Sequence, residues 1–340
     1  MANNNLTEEE KEIKKDELKE FTQREISLGS LVEKLELNEY EILGLINQIR
    51  KEGITISVIK KDDDIYLYNQ GEKEIVSDET QKIDTGDSHE FKFIVISDTL
   101  IGSKYEQPTI LEDIYQKGHE MGYNNVIHCG NLTAGLYSLS NIYSDSCYLN
   151  DTMLQVDHII ESYPQINGMK TYFIGGPTDE KHLRQKQKLN IGKRISDSRK
   201  DMIFLGYNSS EIDIDKVKMF VMCSKLGKTY TVSYRSQQQV DSFRSEDKPD
   251  IFLLGGLLQM EKYFYRDVEV LSVPSVCATT KEMTDKRYQN TVGAWYVTVR
   301  TNSKGELESI NAQDSVYYIT NSILISFISH FFGCSTYAWH

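Results

Sequence analysis

Between residues 91 and 299 the chain repeats one pattern: a short apolar run that stops at a turn of small or polar residues. FKFIVIS runs into Asp98, NVIHCG into Asn131, TYFIGG into Pro177, and MFVMCS and DIFLLGG close in the same way. Longer amphipathic stretches lie between them, among them a helical pattern from Ile110 to Met121. Such alternation predicts an α/β fold with strand ends gathered at one edge. TYTVSYR, VEVLSVPSV and GAWYVTVR add further expected strands. That is too many, too closely spaced, for a purely doubly wound sheet, so two packed sheets flanked by helices are expected.

Upstream the pattern changes. Leu31, Val32, Leu35, Leu37, Ile42, Leu43, Leu45, Ile46 and Ile49 recur at helical spacing with a break near Leu37 and Asn38, which reads as helix, turn, helix. ITISVIKKDDDIYLYNQ follows as two β-rich runs around a polar turn at residues 60–64, a hairpin wing. Residues 21–70 therefore resemble a winged helix. Residues 1–20 are helical in look but lack a strong apolar stripe and read as a polar lead-in. Residues 71–90 hold almost nothing apolar and read as a linker, with the large domain at 91–318.

The start of the chain has no apolar run behind a basic stretch, so a cytoplasmic protein without signal peptide is expected, inside a host cell if the origin is viral. Five cysteines without CxxC spacing, Cys129, Cys147, Cys223, Cys277 and Cys334, argue for reduced thiols rather than a disulfide framework. A formal charge of −13 opposes nonspecific attraction to nucleic acid or an anionic membrane. The last 22 residues, 319–340, are apolar and aromatic and read as a packed terminal helix, an interface segment or a foreign tail; no membrane role is expected.

The strings FKFIVISDTLIGS, VIHCGNLTAG, YFIGGPTDE, FVMCS and DIFLLGGLLQM, in that order and spacing, resemble the calcineurin-like metallophosphoesterases. The resemblance implies a two-sheet α/β sandwich whose strand-end loops hold two divalent cations. In that family the motifs supply Asp-x-His, Gly-Asp, Gly-Asn-His-Asp/Glu, a lone His and Gly-His-x-His. Here Asp98 is kept, Leu100 stands at the first histidine, Asn131 at the bridging aspartate, and Pro177 and Thr178 at the asparagine and catalytic histidine. Asp179 survives, Cys223 takes the fourth position, and Gly256 and Leu258 take the last two histidines after Gly255. Two cations need anionic and imidazole ligands to offset their repulsion and lost hydration. Leucine, glycine and proline side chains offer none.

The expectation is therefore a catalytically inactive protein with no resident cofactor, acting as a binding or scaffold subunit, with a protein partner. Asp98 would cap its turn, Asn131 would be a turn residue, Cys223 an inert core thiol, and His128 would point away from the loop face. The enzymatic rival is a phosphodiesterase or nuclease using manganese or another divalent metal at Asp98, Asn131, Asp179 and Cys223. A third reading is a winged-helix DNA-binding regulator. Against it, residues 21–70 hold six Lys/Arg and nine Asp/Glu, and the recognition-helix candidate at 39–52 ends with only Arg50 and Lys51. Lys60 and Lys61 in the wing favour it. Residues 181–200 reverse the balance, with eight Lys/Arg and one acid, Asp197. Lys181, Arg184, Lys188, Lys193 and Arg194 are the nucleic-acid candidates, expected to border the site mouth. Inactive members of this fold serve as accessory subunits of replicative polymerases, and a winged helix beside such a domain resembles phage and prophage proteins of low-GC bacteria, so the assembly expected by analogy handles nucleic acid.

Overall fold

A computed structural model describes residues 8–22, 26–51, 54–61, 64–72, 80–83, 85–137, 141–183, 189–225 and 233–318. The chain divides into two compact units, Met1–Asp78 and Glu79–His340.

The first unit runs α1 (Glu8–Phe21), β1 (Ile26–Ser27), α2 (Leu28–Leu35), α3 (Glu39–Lys51), β2 (Ile54–Lys61) and β3 (Asp64–Glu72), with a small antiparallel sheet in the order β1-β3-β2. Glu36 breaks the chain between α2 and α3 with a left-handed φ of 54°. Asn38 and Glu41 then cap α3 reciprocally, each side chain accepting the other's backbone N–H at 3.0 and 2.8 Å. Residues 8–21 are not a frayed lead-in. Leu18 is fully buried beside Leu31, Leu35, Ile42 and Ile46. Burying one such leucine stabilises by about 2 kcal/mol, enough to dock a helix whose other faces are charged.

The second unit holds two six-stranded sheets. One has the order β12-β13-β11-β10-β9-β4 and the other β15-β14-β5-β6-β7-β8. The second sheet comprises β5 (Glu90–Ile96), β6 (Asn125–His128), β7 (Lys170–Gly175) and β8 (Met202–Tyr207), all parallel, with β14 (Gly293–Thr301) and β15 (Leu307–Val316) antiparallel at one side. The first sheet comprises β4 (Gln81–Ile83), β9 (Ser209–Ile214), β10 (Val217–Cys223), β11 (Ile251–Gly255), β12 (Glu261–Tyr265) and β13 (Val268–Ser272). Its three central strands β10, β11 and β13 are parallel.

Phe93, Val95, Ile127 and Ile174 of one sheet meet Ile212, Val221, Leu253 and Leu271 of the other in a common core. The opposite face of the second sheet carries α4 (Pro108–Glu120), α5 (Thr152–Ser162) and α7 (Ile191–Ser198) over Ile94, Val126 and Phe173. Val240 of α8 (Tyr234–Ser242) covers Phe252, Val268 and Val270 on the outer face of the first. Two short helices, α6 (Glu180–Leu183) and α9 (Lys281–Lys286), lie beside the strand-end loops. The mixed α/β sandwich with two sheets is as the sequence pattern implied.

Several sequence expectations are corrected. Residues 81–90 are not linker: Gln81–Ile83 pairs with β9, and β5 begins at Glu90. In TYTVSYR, Tyr234 and Arg235 start α8 rather than extend a strand, and residues 229–232 lie outside the described residues. The segment 319–340, with Cys334, also lies outside them. Among the described residues no helix is long and apolar enough to cross a membrane.

Candidate functional site at the strand ends

The carboxyl ends of β5, β6, β7, β10 and β11 converge, so the five motif loops come together. Asp98, two residues past the end of β5, is 3 % exposed. Asn131 Nδ2 donates to its Oδ1 at 2.7 Å, while Ser97 Oγ (2.8 Å) and the Gly256 N–H (3.1 Å) donate to Oδ2. Loops from three strands are thus tied to one carboxylate. Burial pushes its pKa up to about 6 although all three donors favour the ionised form. Thr178 extends the chain: its N–H donates to Asn131 Oδ1 at 3.1 Å, and its hydroxyl lies between that oxygen and the Thr133 carbonyl.

Asp179 forms a second knot, 1 % exposed. It accepts from the N–H groups of Leu132 (3.0 Å), Thr133 (2.8 Å) and Gly176 (2.7 Å) and from Thr133 Oγ1 (2.7 Å). Thr133 Oγ1 accepts in turn from His182 Nε2, whose Nδ1 accepts from the Thr152 hydroxyl, both at 3.0 Å. Burial lowers the His182 pKa to about 4, which keeps the ring neutral and this donor order intact. His128 is fully buried, takes the Gly130 N–H on Nδ1 (3.2 Å) and contacts Thr99 Oγ1 through Nε2 (3.0 Å). Its pKa is pushed down to about 3 by burial, so it braces the turn beside Asn131 as a neutral ring.

Apolar packing occupies the other positions. Leu100 and Leu258, at the places of two family histidines, join one cluster with Cys277, Met283 and Tyr288. Both leucines have positive φ, 47° and 63°, as do Asp98 at 53° and Asn131 at 55°. Aspartate and asparagine tolerate that region, whereas each leucine stores about 1–2 kcal/mol there. Cys223 is buried against Gly130 and Gly176; a Cβ built on Gly130 would meet its Sγ at 2.7 Å, which only glycine avoids. Burial pushes the thiols of Cys129, Cys223 and Cys277 upward, so none is a ready thiolate nucleophile.

The pair of divalent cations implied by the family resemblance does not fit this donor set. Asp98 and Asp179 already accept three and four hydrogen bonds, Leu100 and Leu258 offer no lone pair, and Asn131 is held from both ends. Among the described residues no three His, Cys, Asp or Glu side chains are grouped to hold a metal ion. Thr133, Thr152 and His182 were missed in the sequence because their roles depend on contacts between different strands' loops. The one available signal was that Thr133 and His182 flank motif residues Asn131 and Asp179.

The basic run is divided. Lys181 is half-buried with its Nζ 4.3 Å from the centre of the Tyr137 ring, and burial lowers its pKa. Lys193 and Arg194 lie exposed on α7, whose Ile191 and Ile195 face the core. Arg199 is 6 % exposed and bonds Asp201 and the carbonyls of Ile160, Tyr163 and Pro164. Arg184 and Lys188 lie outside the described residues.

No protein-family model matches the chain, and no curated protein matches it. Among solved structures it is similar to an archaeal phosphodiesterase, at 13 % identity over 67 % of this chain and 100 % of that one with a TM-score of 0.39. It is also similar to a predicted phosphoesterase from Streptococcus pneumoniae, at 10 % identity over 67 % and 98 % with a TM-score of 0.31. Vps29 from Entamoeba histolytica, solved with zinc, is similar at 13 % identity over 66 % and 99 % with a TM-score of 0.34.

Proposed function

We propose that the protein is a non-catalytic binding or scaffold subunit with a metallophosphoesterase-like body. The observation that carries this reading is the state of the strand-end loops. Every polar side chain at a motif position is engaged by another loop, and the leucines at histidine positions share one apolar cluster. A site whose two carboxylates already take seven hydrogen bonds, and whose other motif positions are mostly apolar, has too few anionic lone pairs to offset two cations.

The test is metal analysis of the purified full chain after incubation with manganese or zinc, alongside a phosphodiester hydrolysis assay. Sub-stoichiometric metal and no turnover are expected. Stoichiometric metal with turnover abolished by Asp98→Ala overturns the reading in favour of the phosphodiesterase rival.

Protein is the partner class favoured over nucleic acid. The element order of the first unit supports the winged-helix reading, with α3 in the recognition position. Its exposed residues Glu39, Tyr40, Leu43, Gly44, Asn47 and Gln48 include no cation and one acid, and Tyr40 is 87 % exposed. A groove-reading helix wants cations toward phosphates. Within the basic run Arg199 is consumed internally and Lys181 is held by Tyr137. Titration of duplex DNA into the full chain is expected to give weak binding that vanishes by about 0.2 M salt. Tight binding lost on Lys193→Glu plus Arg194→Glu would favour nucleic acid.

A further inference from the structure

The first sheet ends at β12, a strand whose sequence EKYFY holds no proline, glycine or bulge. Among the described residues it pairs only with β13. On one face Tyr263 and Tyr265 pack beside Val240, Val268 and Val270, and the Tyr263 hydroxyl bonds Ser236. On the other face Lys262 and Phe264 stand exposed, Phe264 at 67 %. Edge strands are usually guarded by unpaired charge, proline or bulges. Here the two charges, Glu261 and Lys262, stand together at the start of the strand, Lys262 paired with Glu269 at 3.0 Å, and residues 263–265 carry none.

We propose that two copies of this chain join through β12, antiparallel about a two-fold axis at Tyr263, so that the sheet continues from one copy into the other. Symmetry and side-chain chemistry select this register. A two-fold axis perpendicular to a continuous sheet keeps each residue on its own face, so only positions differing by an even number can oppose one another. Centring on Lys262 sets that ammonium against its own copy. Centring on Phe264 sets Lys262 against Arg266. Both are like-charge pairs, which destabilise a ladder. Centring on Tyr263 uses all five residues and avoids both. It places Lys262 of each copy opposite Phe264 of the other, two cation–aromatic contacts, with Glu261 opposite Tyr265.

A five-residue ladder is smaller than a standard stable interface, so a dissociation constant on the order of 10–100 µM is expected. Each copy carries −13, so screening strengthens the association as salt rises.

Sedimentation velocity of the full chain tests this. Wild type should shift to dimer with concentration, more strongly at about 0.5 M than at about 0.05 M salt. Phe264→Lys, at an exposed position, sets lysine against lysine and should leave a monomer with an unchanged circular dichroism spectrum. Lys262→Glu combined with Phe264→Lys sets unlike charges opposite one another and should restore the dimer. A wild-type chain still monomeric at about 0.3 mM overturns the proposal, given the expected affinity range. Phe264→Lys dimerising like wild type, or a double variant that stays monomeric, overturns it equally.

Discussion

The strand-end loops and the outward face of α3 handle polar and apolar groups in opposite ways. In the loops, Asp98, Asn131, Thr178 and Asp179 are drawn inward and tied to one another or to backbone N–H groups. On α3, Tyr40 and Leu43 are left in water, at 87 % and 39 % exposure, on the side away from Ile42, Ile46 and Ile49 in the unit's core. Folding alone accounts for the first arrangement, since each loop group there satisfies another. The second contributes little to the fold that carries it, and singly exposed apolar side chains are ordinary on protein surfaces. On the reading proposed above, the loop groups serve the fold and recognition falls to exposed surface.

Breaking the loop side of that contrast should have the largest effect. Asp179→Ala leaves three backbone N–H groups and one hydroxyl without their acceptor, and a loss of about 4 kcal/mol is expected from urea denaturation. A loss below about 1 kcal/mol would mean the loops do not depend on this knot.

Asp98 should show itself through pH. Its folded pKa of about 6 lies above the ordinary carboxylate value, so its contribution to stability is fully present below the unfolded pKa and is lost as pH rises through about 6. The folded chain therefore binds a proton there that the unfolded chain has released, and wild type gains relative to Asp98→Asn as pH falls from 6 to 4. The shift from 3.8 to about 6 corresponds to about 3 kcal/mol of relative change. Urea curves of both proteins at the two ends of that window measure it; parallel pH profiles would show that Asp98 titrates normally. His182 bears on the same window with opposite sign. Its folded pKa of about 4 lies below the ordinary value, so its stabilising neutral form is lost as pH falls through that range in both proteins and cancels in the comparison.

Leu100→Gly sharpens the contrast at smaller scale. Relief of the left-handed strain, about 1–2 kcal/mol, offsets lost packing of similar size, so a net change within about 1 kcal/mol is expected by thermal unfolding. A loss near the usual cost of a core leucine truncation, about 3 kcal/mol, would show that packing outweighs strain. Smallest of all should be Tyr40→Ala with Leu43→Ser on the α3 face, a stability change within about 0.5 kcal/mol. A Tm that falls clearly would show that this face packs within the molecule.

Much of the second unit was legible because its central strands are buried on both faces. β11 and the carboxyl-terminal halves of β5 and β7 read as apolar runs whose ends mark the loops. The elements that were missed lie at the edges or alternate: β15 packs only the half-buried Leu307, Ile310 and Ala312 of a polar string against the core, and β12 shows one residue in two to water. α1 was read as solvated because a single fully buried leucine and a terminal phenylalanine anchor it. In the site, which side chain stands at each strand end could be read directly, since it is a matter of identity. The use made of Asp179 and His182 could not, since it depends on loops from different strands meeting.

The sequence by itself determined that Leu100, Thr178, Cys223, Gly256 and Leu258 follow the apolar runs with no imidazole among them, and that those runs must stack into two sheets. Side-chain chemistry is local, and no fold can give leucine a lone pair. Tertiary structure alone decided where the remaining carboxylates spend their charge, because a buried acceptor is satisfied by whichever donors the convergent loops bring to it.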